Sequence, residues 1–196
     1  MSNQAFEKSA LARNFSDAAK HYDAWATAQA EIASGLAHRL EQIAFMTPAP
    51  ALTAQVNCAC AYAAASHADA RLAEHFQKQN ALNRREPALM VDLGCGTGLL
   101  SALLLERYSK ASLVGLDLAE GMAEACRKRW AGLARARFVV GDVEDPACLV
   151  RGADLVACSC VAQWFGNPIG TLRMWAEALA PGGILACAFL IQGSFV

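Results

Sequence analysis

Charge of one sign is what this chain has least of. Its 17 Lys and Arg stand against 18 Asp and Glu, a net charge of -1 that leaves no basic excess of the kind a nucleic-acid binder carries. Long apolar runs are missing too: although 55% of residues are hydrophobic, no uninterrupted stretch approaches the ~20 residues of a membrane span. That content suits one soluble globular domain with a sizeable core. The opening Met-Ser-Asn-Gln, with charged residues soon after, lacks the apolar segment of a signal peptide, so a cytoplasmic location is expected. Standard metal-ligand spacing is also absent. The eight cysteines include the pairs Cys58-Ala59-Cys60 and Cys158-Ser159-Cys160, which could together make a tetrahedral zinc site, but the usual spacing is C-x2-4-C. The second pair ends an apolar run that reads as a core strand, where Cys behaves as a small hydrophobe. Reduced thiols and no metal are expected.

What is present centres on Leu89-Met90-Val91-Asp92-Leu93-Gly94-Cys95-Gly96-Thr97-Gly98-Leu99-Leu100, read as strand, tight turn and helix. Glycines there tolerate positive φ and let a ligand approach the backbone. A P-loop would need Gly-Lys-Ser/Thr, and Leu99 follows Gly98. The dinucleotide fingerprint would need a third glycine where Leu99 stands. Two further runs end in acids like the first. Ser112–Asp117 closes on Asp117, ~20 residues past the glycines, where a doubly wound fold places its ribose-binding acid. Arg137–Asp142 closes on Asp142. Each Asp alone has a bland alternative, a helix N-cap or a turn. Three together at this spacing describe a nucleotide site.

Asp92 followed by Gly94-x-Gly96-x-Gly98 resembles motif I of class I S-adenosylmethionine methyltransferases. The resemblance implies that Asp92 and the backbone of Gly94, Cys95, Gly96 and Gly98 hold the methionine end. It implies further that Asp117 takes the ribose, that Leu118, Met122 and Val143 sandwich the adenine, and that Asp142 meets its amino group.

Around this motif the chain alternates strand and helix. The pattern predicts strands at about 88–93, 112–117, 137–141, 153–158 and 183–190, with helices at 98–108, 119–130 and 168–179, the last ended by Pro181-Gly182-Gly183. This is an α/β, doubly wound, Rossmann-like parallel sheet shortened to about five strands. Residues 1–46 read as an N-terminal helical lid, with Ile32, Leu36, Leu40 and Ile43 on one face and Ser16-Asp17 as a start signal for a second segment. Residues 47–86 read as an insertion without an assigned role, and 87–196 as the core.

The later motifs narrow the resemblance. Ala18-Ala19 with Tyr22, then Gln163-Trp164 after the fourth strand, then Gln192-Gly193-Ser194 after the fifth, are similar to the malonyl-acyl-carrier-protein O-methyltransferases of biotin synthesis. In that family a tyrosine matching Tyr22 lies over the cofactor, and Gln163 and Trp164 would face the methyl group and acceptor. Helix packing for Tyr22 and core packing for Trp164 are the competing readings. Ser159 stands where those relatives carry asparagine, and the missing amide would weaken a hydrogen bond. A carboxylate acceptor is already anionic, so the resemblance implies catalysis by in-line positioning with no catalytic base. Acyl carrier protein would be the partner, met by Arg127-Lys128-Arg129, Arg135 and Arg137, unless these form a solvated helix face. Methylation of another small acid, or a non-catalytic subunit that binds S-adenosylmethionine, are the alternatives.

Those relatives continue past the fifth strand with a hairpin, whereas this sequence ends at Val196. Residues 184–191 are therefore expected to form an apolar edge covered by a second copy, a partner chain or the insertion. Hydrogen exchange checks this: slow amide exchange across 184–191 is expected, and rapid exchange in a solution monomer contradicts it.

Overall fold

The computed structural model describes residues 3–42 and 86–189; side chains are described over 7–41 and 86–189. Ile43, residues 47–85 of the insertion, with Cys58 and Cys60, and the Gln192-Gly193-Ser194 motif lie outside those residues.

Three helices come first: α1 (Asn3–Ala18), α2 (Tyr22–Trp25) and α3 (Thr27–Gln42). The Rossmann-like unit follows as β1 (Leu89–Leu93), α4 (Leu99–Arg107), β2 (Ser112–Asp117), α5 (Glu120–Arg129) and β3 (Ala136–Val140). It continues with β4 (Ala153–Ser159), α6 (Pro168–Glu177) and β5 (Leu179–Ala188). The sheet order is β3-β2-β1-β4-β5, with every pairing parallel. The chain reverses its direction of travel across the sheet between β1 and β4, and in open sheets of this kind that switch point is where a crevice opens beyond the strand ends.

Burial on both faces explains the apolar strand runs. In β1, Met90 points into a cluster with Leu36, Leu40, Leu104 and Cys126, while Val91 and Leu93 point into the opposite one with Val156 and Trp175. β4 alternates in step, Leu155 and Ala157 on the first side, Val156 and Cys158 on the second. The Trp175 indole N–H, fully buried, donates to the Val143 carbonyl at 2.8 Å and ties α6 to the loop after β3.

Two predicted boundaries are corrected. Ser16-Asp17 does not start a helix: α1 runs through both, and the break comes at Ala19–His21, where His21 N–H donates to the Ala18 carbonyl. Pro181-Gly182-Gly183 does not end α6, which stops at Glu177, but lies inside β5. There the register jumps from Ala153↔Leu179 to Leu155↔Ile184, so these residues bulge out of the ladder. Pro181 has no N–H to give the ladder and Gly182 adopts φ +77°, which keeps the strand going past a sequence that reads as a breaker.

α1 docks on α5 by close backbone approach. A Cβ on Gly121 would lie 2.5 Å from the carbonyl oxygen of Ser16, and Gly121 N–H donates to Ser16 Oγ at 3.2 Å. Gly121→Ala improves helix propensity by about 1 kcal/mol, whereas overpacking against backbone costs about 1–3 kcal/mol. The clash should prevail. Faster amide exchange across 3–18 is expected in the variant, with exchange in β1 and β4 unchanged.

Candidate functional site

At the carboxyl ends of β1, β2 and β4, under α1 and α2, the chain encloses a cavity with about 990 Å³ of open space, counting the part that reaches solvent. Its floor is the glycine turn. Gly94, Gly96 and Gly98 all have positive φ. Nothing lies within 4 Å of where a Cβ of Gly96 would sit, so the backbone is open to close approach. Gly98 serves otherwise: a Cβ there would strike the Trp130 ring at 2.4 Å, so it is needed for α4 to start against α5.

Asp117 links this turn to the next helix. Its Oδ2 accepts from Gly96 N–H and its Oδ1 from Ala119 N–H, both at 2.8 Å. Burial pushes its pKa up and the two N–H groups pull against that. Each oxygen accepts one of these bonds, which leaves each with further acceptor capacity, and Asp117 lines the cavity. Asp92 is 1% exposed and accepts from Ser101 Oγ at 2.6 Å. Burial raises it to about 7, the charge of Asp117 adding to the shift and the Ser101 bond opposing it.

The third acid is held by the lid. Lys8 of α1 places Nζ 2.7 Å from Asp142 Oδ2 and 2.6 Å from Glu144 Oε2. Burial works to raise Glu144, but Lys8 and the N–H groups of Asn167 and Gly166 outweigh it and take the carboxyl down to about 2. Thr97 of the glycine turn donates to Asp23 of α2, a second tie between lid and floor. At the mouth Phe15 stands edge-on to Tyr22 (ring centroids 6.1 Å apart) and to Trp164 (5.8 Å). Trp164 is half exposed, which removes the core-packing reading. Burial raises the Tyr22 pKa, with Cys160, Asp117 and Asp23 adding to it, so its hydroxyl stays protonated and available as a donor.

Of the residues predicted from sequence, Asp92, Gly94, Cys95, Gly96, Asp117, Leu118, Met122, Asp142, Val143, Ser159, Tyr22 and Trp164 all line this cavity. Gly98 and Gln163 do not. The Gln163 amide turns back to donate to the Cys160 carbonyl at 2.8 Å, which fixes its own turn. Sequence reasoning missed Lys8, Phe15, Thr97, Glu144 and Cys160, which also line it. Cys160, with φ +57°, is a non-glycine residue in the left-handed region, and backbone strain of that sort concentrates at sites. Cys158, by contrast, is fully buried in the apolar cluster around Trp175. Among the described residues, no group of three His, Cys, Asp or Glu is arranged to hold a metal ion.

Residues 90–183 match the family described as a methyltransferase domain. A trans-aconitate 2-methyltransferase of Acidovorax sp. (strain JS42) is 41% identical over 100 residues, 51% of this chain and 37% of that protein. A malonyl-[acyl-carrier protein] O-methyltransferase of Acetivibrio thermocellus is 37% identical over 97 residues, 50% of this chain and 34% of that one. Both matches thus span little more than a third of the relatives' length. The structure of the plantazolicin methyltransferase BamL, with S-adenosylhomocysteine, aligns at 25% identity and a TM-score of 0.44 over 49% of this chain and 35% of that one.

The two shifted acids give opposite pH signatures. Asp92 binds a proton more tightly folded than unfolded, so its contribution to stability is full below about pH 4 and is lost as pH rises to about 7, at up to ~1.4 kcal/mol per unit. Glu144, depressed to about 2, contributes above its ordinary 4.5 and loses that as pH falls. Denaturant unfolding should show the parent losing stability relative to Asp92→Asn as pH rises from 4 to 7. Against Glu144→Gln the parent's advantage should shrink as pH falls from 4.5 towards 2.

Proposed function

Residues 90–183 belong to the methyltransferase-domain family, and from that premise we propose that this chain binds S-adenosylmethionine in the cavity and directs its methyl group to a carboxylate acceptor. The observation that carries the reading is the Gly96–Asp117 junction: an open backbone turn beside a partly buried carboxylate, at the switch point of a parallel sheet. When bound, the cofactor supplies an electrophilic methyl group on a sulfonium.

The chain's own residues do the rest by binding and orientation. Asp117 has lone pairs left to accept from two ribose hydroxyls. Asp92 lies beyond the glycine turn, where an ammonium group would restore its charge. Leu118, Met122 and Val143 form apolar walls for a planar ring, with Asp142 at the edge. α1 and α2 roof the cavity through the Lys8 and Thr97 ties and exclude water. The protonated Tyr22 hydroxyl offers a hydrogen bond to an anionic acceptor, for which no proton need be removed.

The malonyl thioester of acyl carrier protein is one such acceptor, in keeping with the partial similarity above. The basic surface is largely engaged by its own neighbours. Arg127 pairs with Glu120 and Glu124, Lys128 with Glu124, and Arg135 donates to the carbonyls of Leu105, Tyr108 and Ala111. The proposal therefore rests on the carboxylate rather than on the carrier.

Calorimetric titration with S-adenosylmethionine tests the cofactor half. Saturable binding is expected in the parent, weakened by about tenfold or more in Asp117→Asn, the loss of one buried charged acceptor. Unchanged affinity in the variant would sink the assignment. Mass spectrometry after addition of malonyl carrier protein reads the acceptor half, a methyl ester supporting the thioester and its absence favouring another small acid or a non-catalytic role.

A further inference from the structure

The charge of the cavity discriminates among carboxylate acceptors. Its lining, among the described residues, holds four carboxyl groups, those of Asp92, Asp117, Asp142 and Glu144, against one cation, Lys8. Lys8 is already committed: its ammonium lies between Asp142 and Glu144, at 2.7 and 2.6 Å. Burial works against that charge, yet the two carboxylates hold it above its ordinary pKa. Releasing it to an incoming anion would strand two acids in a partly buried site, a cost that the new pairing would have to exceed. Glu144 is tied down further by Gly166 N–H, Asn167 N–H and the Thr171 hydroxyl, so the ion pair cannot follow a moving lysine.

The acceptor end of the cavity is built of different material. Phe15, Tyr22 and Trp164 meet there edge to face, Phe165 and Val161 also line the cavity, and the polar hydrogens that these five side chains bring, the Tyr22 hydroxyl and the Trp164 indole N–H, belong to neutral groups. Such walls bury apolar and aromatic surface well and leave a second or third carboxylate without a cation to pair with.

Resting on the reading above, we propose that the site is specific for an acid carrying a single carboxylate on an apolar or aromatic body, with the Phe15–Tyr22–Trp164 wall as its specificity-determining surface, and that it rejects polycarboxylates. The relatives at 41% identity are named for a tricarboxylate, so the inference separates this chain from them within one chemistry. Specificity of this kind comes as much from charges left unpaired by the wrong ligand as from contacts with the right one.

Phenylacetate and trans-aconitate make the comparison, titrated into 15N-labelled full chain, free and loaded with S-adenosylhomocysteine. The readouts are the Trp164 indole N–H, assigned by its loss in Trp164→Phe, and methyl-ester formation with S-adenosylmethionine. Phenylacetate should bind at least about tenfold more tightly than trans-aconitate, a ratio that converts to about 1.4 kcal/mol. Phe15→Ala should abolish that preference while S-adenosylhomocysteine affinity holds. Equal binding, no binding of either acid, or a preference for trans-aconitate overturns the inference. Failure of S-adenosylhomocysteine to bind overturns the cofactor reading instead, and the ranking of acids on the free protein still decides this one.

Discussion

The two hydrogen bonds accepted by Asp117 determine how the rest of the site can be arranged. One comes from the glycine turn that leaves β1 and the other from the first turn leading to α5, so a single side chain sets the distance between two β-α junctions. Because the carboxylate is partly buried, burial disfavours its ionised form and those two N–H groups work to hold it. The turn must therefore be glycine-rich to present Gly96 N–H inward at positive φ, and α5 must begin where Ala119 can reach back. A neutral side chain would relax both constraints and lose the register between the turn and the second strand.

Asp92 is constrained from the other side. β1 alternates its side chains between two apolar clusters, and Asp92 falls on the same side as Met90, under α4, where water is excluded. Ser101, two residues into α4 beyond Leu99, supplies a hydroxyl but no charge, and burial prevails, leaving the carboxyl near neutrality at about 7. Thus two acids on neighbouring strands experience different surroundings: Asp117 has backbone donors from two separate turns, whereas the donors to Asp92 come from Ser101. A site with this contrast can accept hydroxyl hydrogens at one end and answer a cationic group at the other.

The core of this arrangement was legible in the sequence because parallel strands buried on both faces are written as uninterrupted apolar runs, and their functional ends as the acid or glycine that stops each run. Asp92, Asp117 and Asp142 were found that way. Lys8 and Phe15 were not, since what places them is contact with residues far away in sequence, Lys8 with Asp142 and Phe15 with Trp164, and neither carries a local signature. Glu144 was hidden for a related reason: two residues past Asp142 it reads as one more loop acid, and only the fold shows Lys8, Gly166, Asn167 and Thr171 converging on it. The Pro181-Gly182-Gly183 segment misled in the opposite sense. Its residues are strong local breakers, yet the pairing of Ala153 with Leu179 on one side and Leu155 with Ile184 on the other holds the strand together across them.

The convergence on Glu144 also explains how a helix at the beginning of the chain can be part of a site built from strands much later in it. α1 has no acidic residue in its first turn and no basic one in its last to favour it as an isolated helix, so its place depends on what it docks against. Ser16 approaches Gly121 too closely to admit a Cβ, and Lys8 reaches the loop beyond β3 about two turns of helix earlier. These two anchors span α1 over the cavity, while α2 is fixed separately through Asp23 and Thr97. The lid is thus attached to the glycine turn, to α5 and to the loop after β3, each by a polar contact beside the cavity. A ligand that reorders any one of those three must also change how the lid is held.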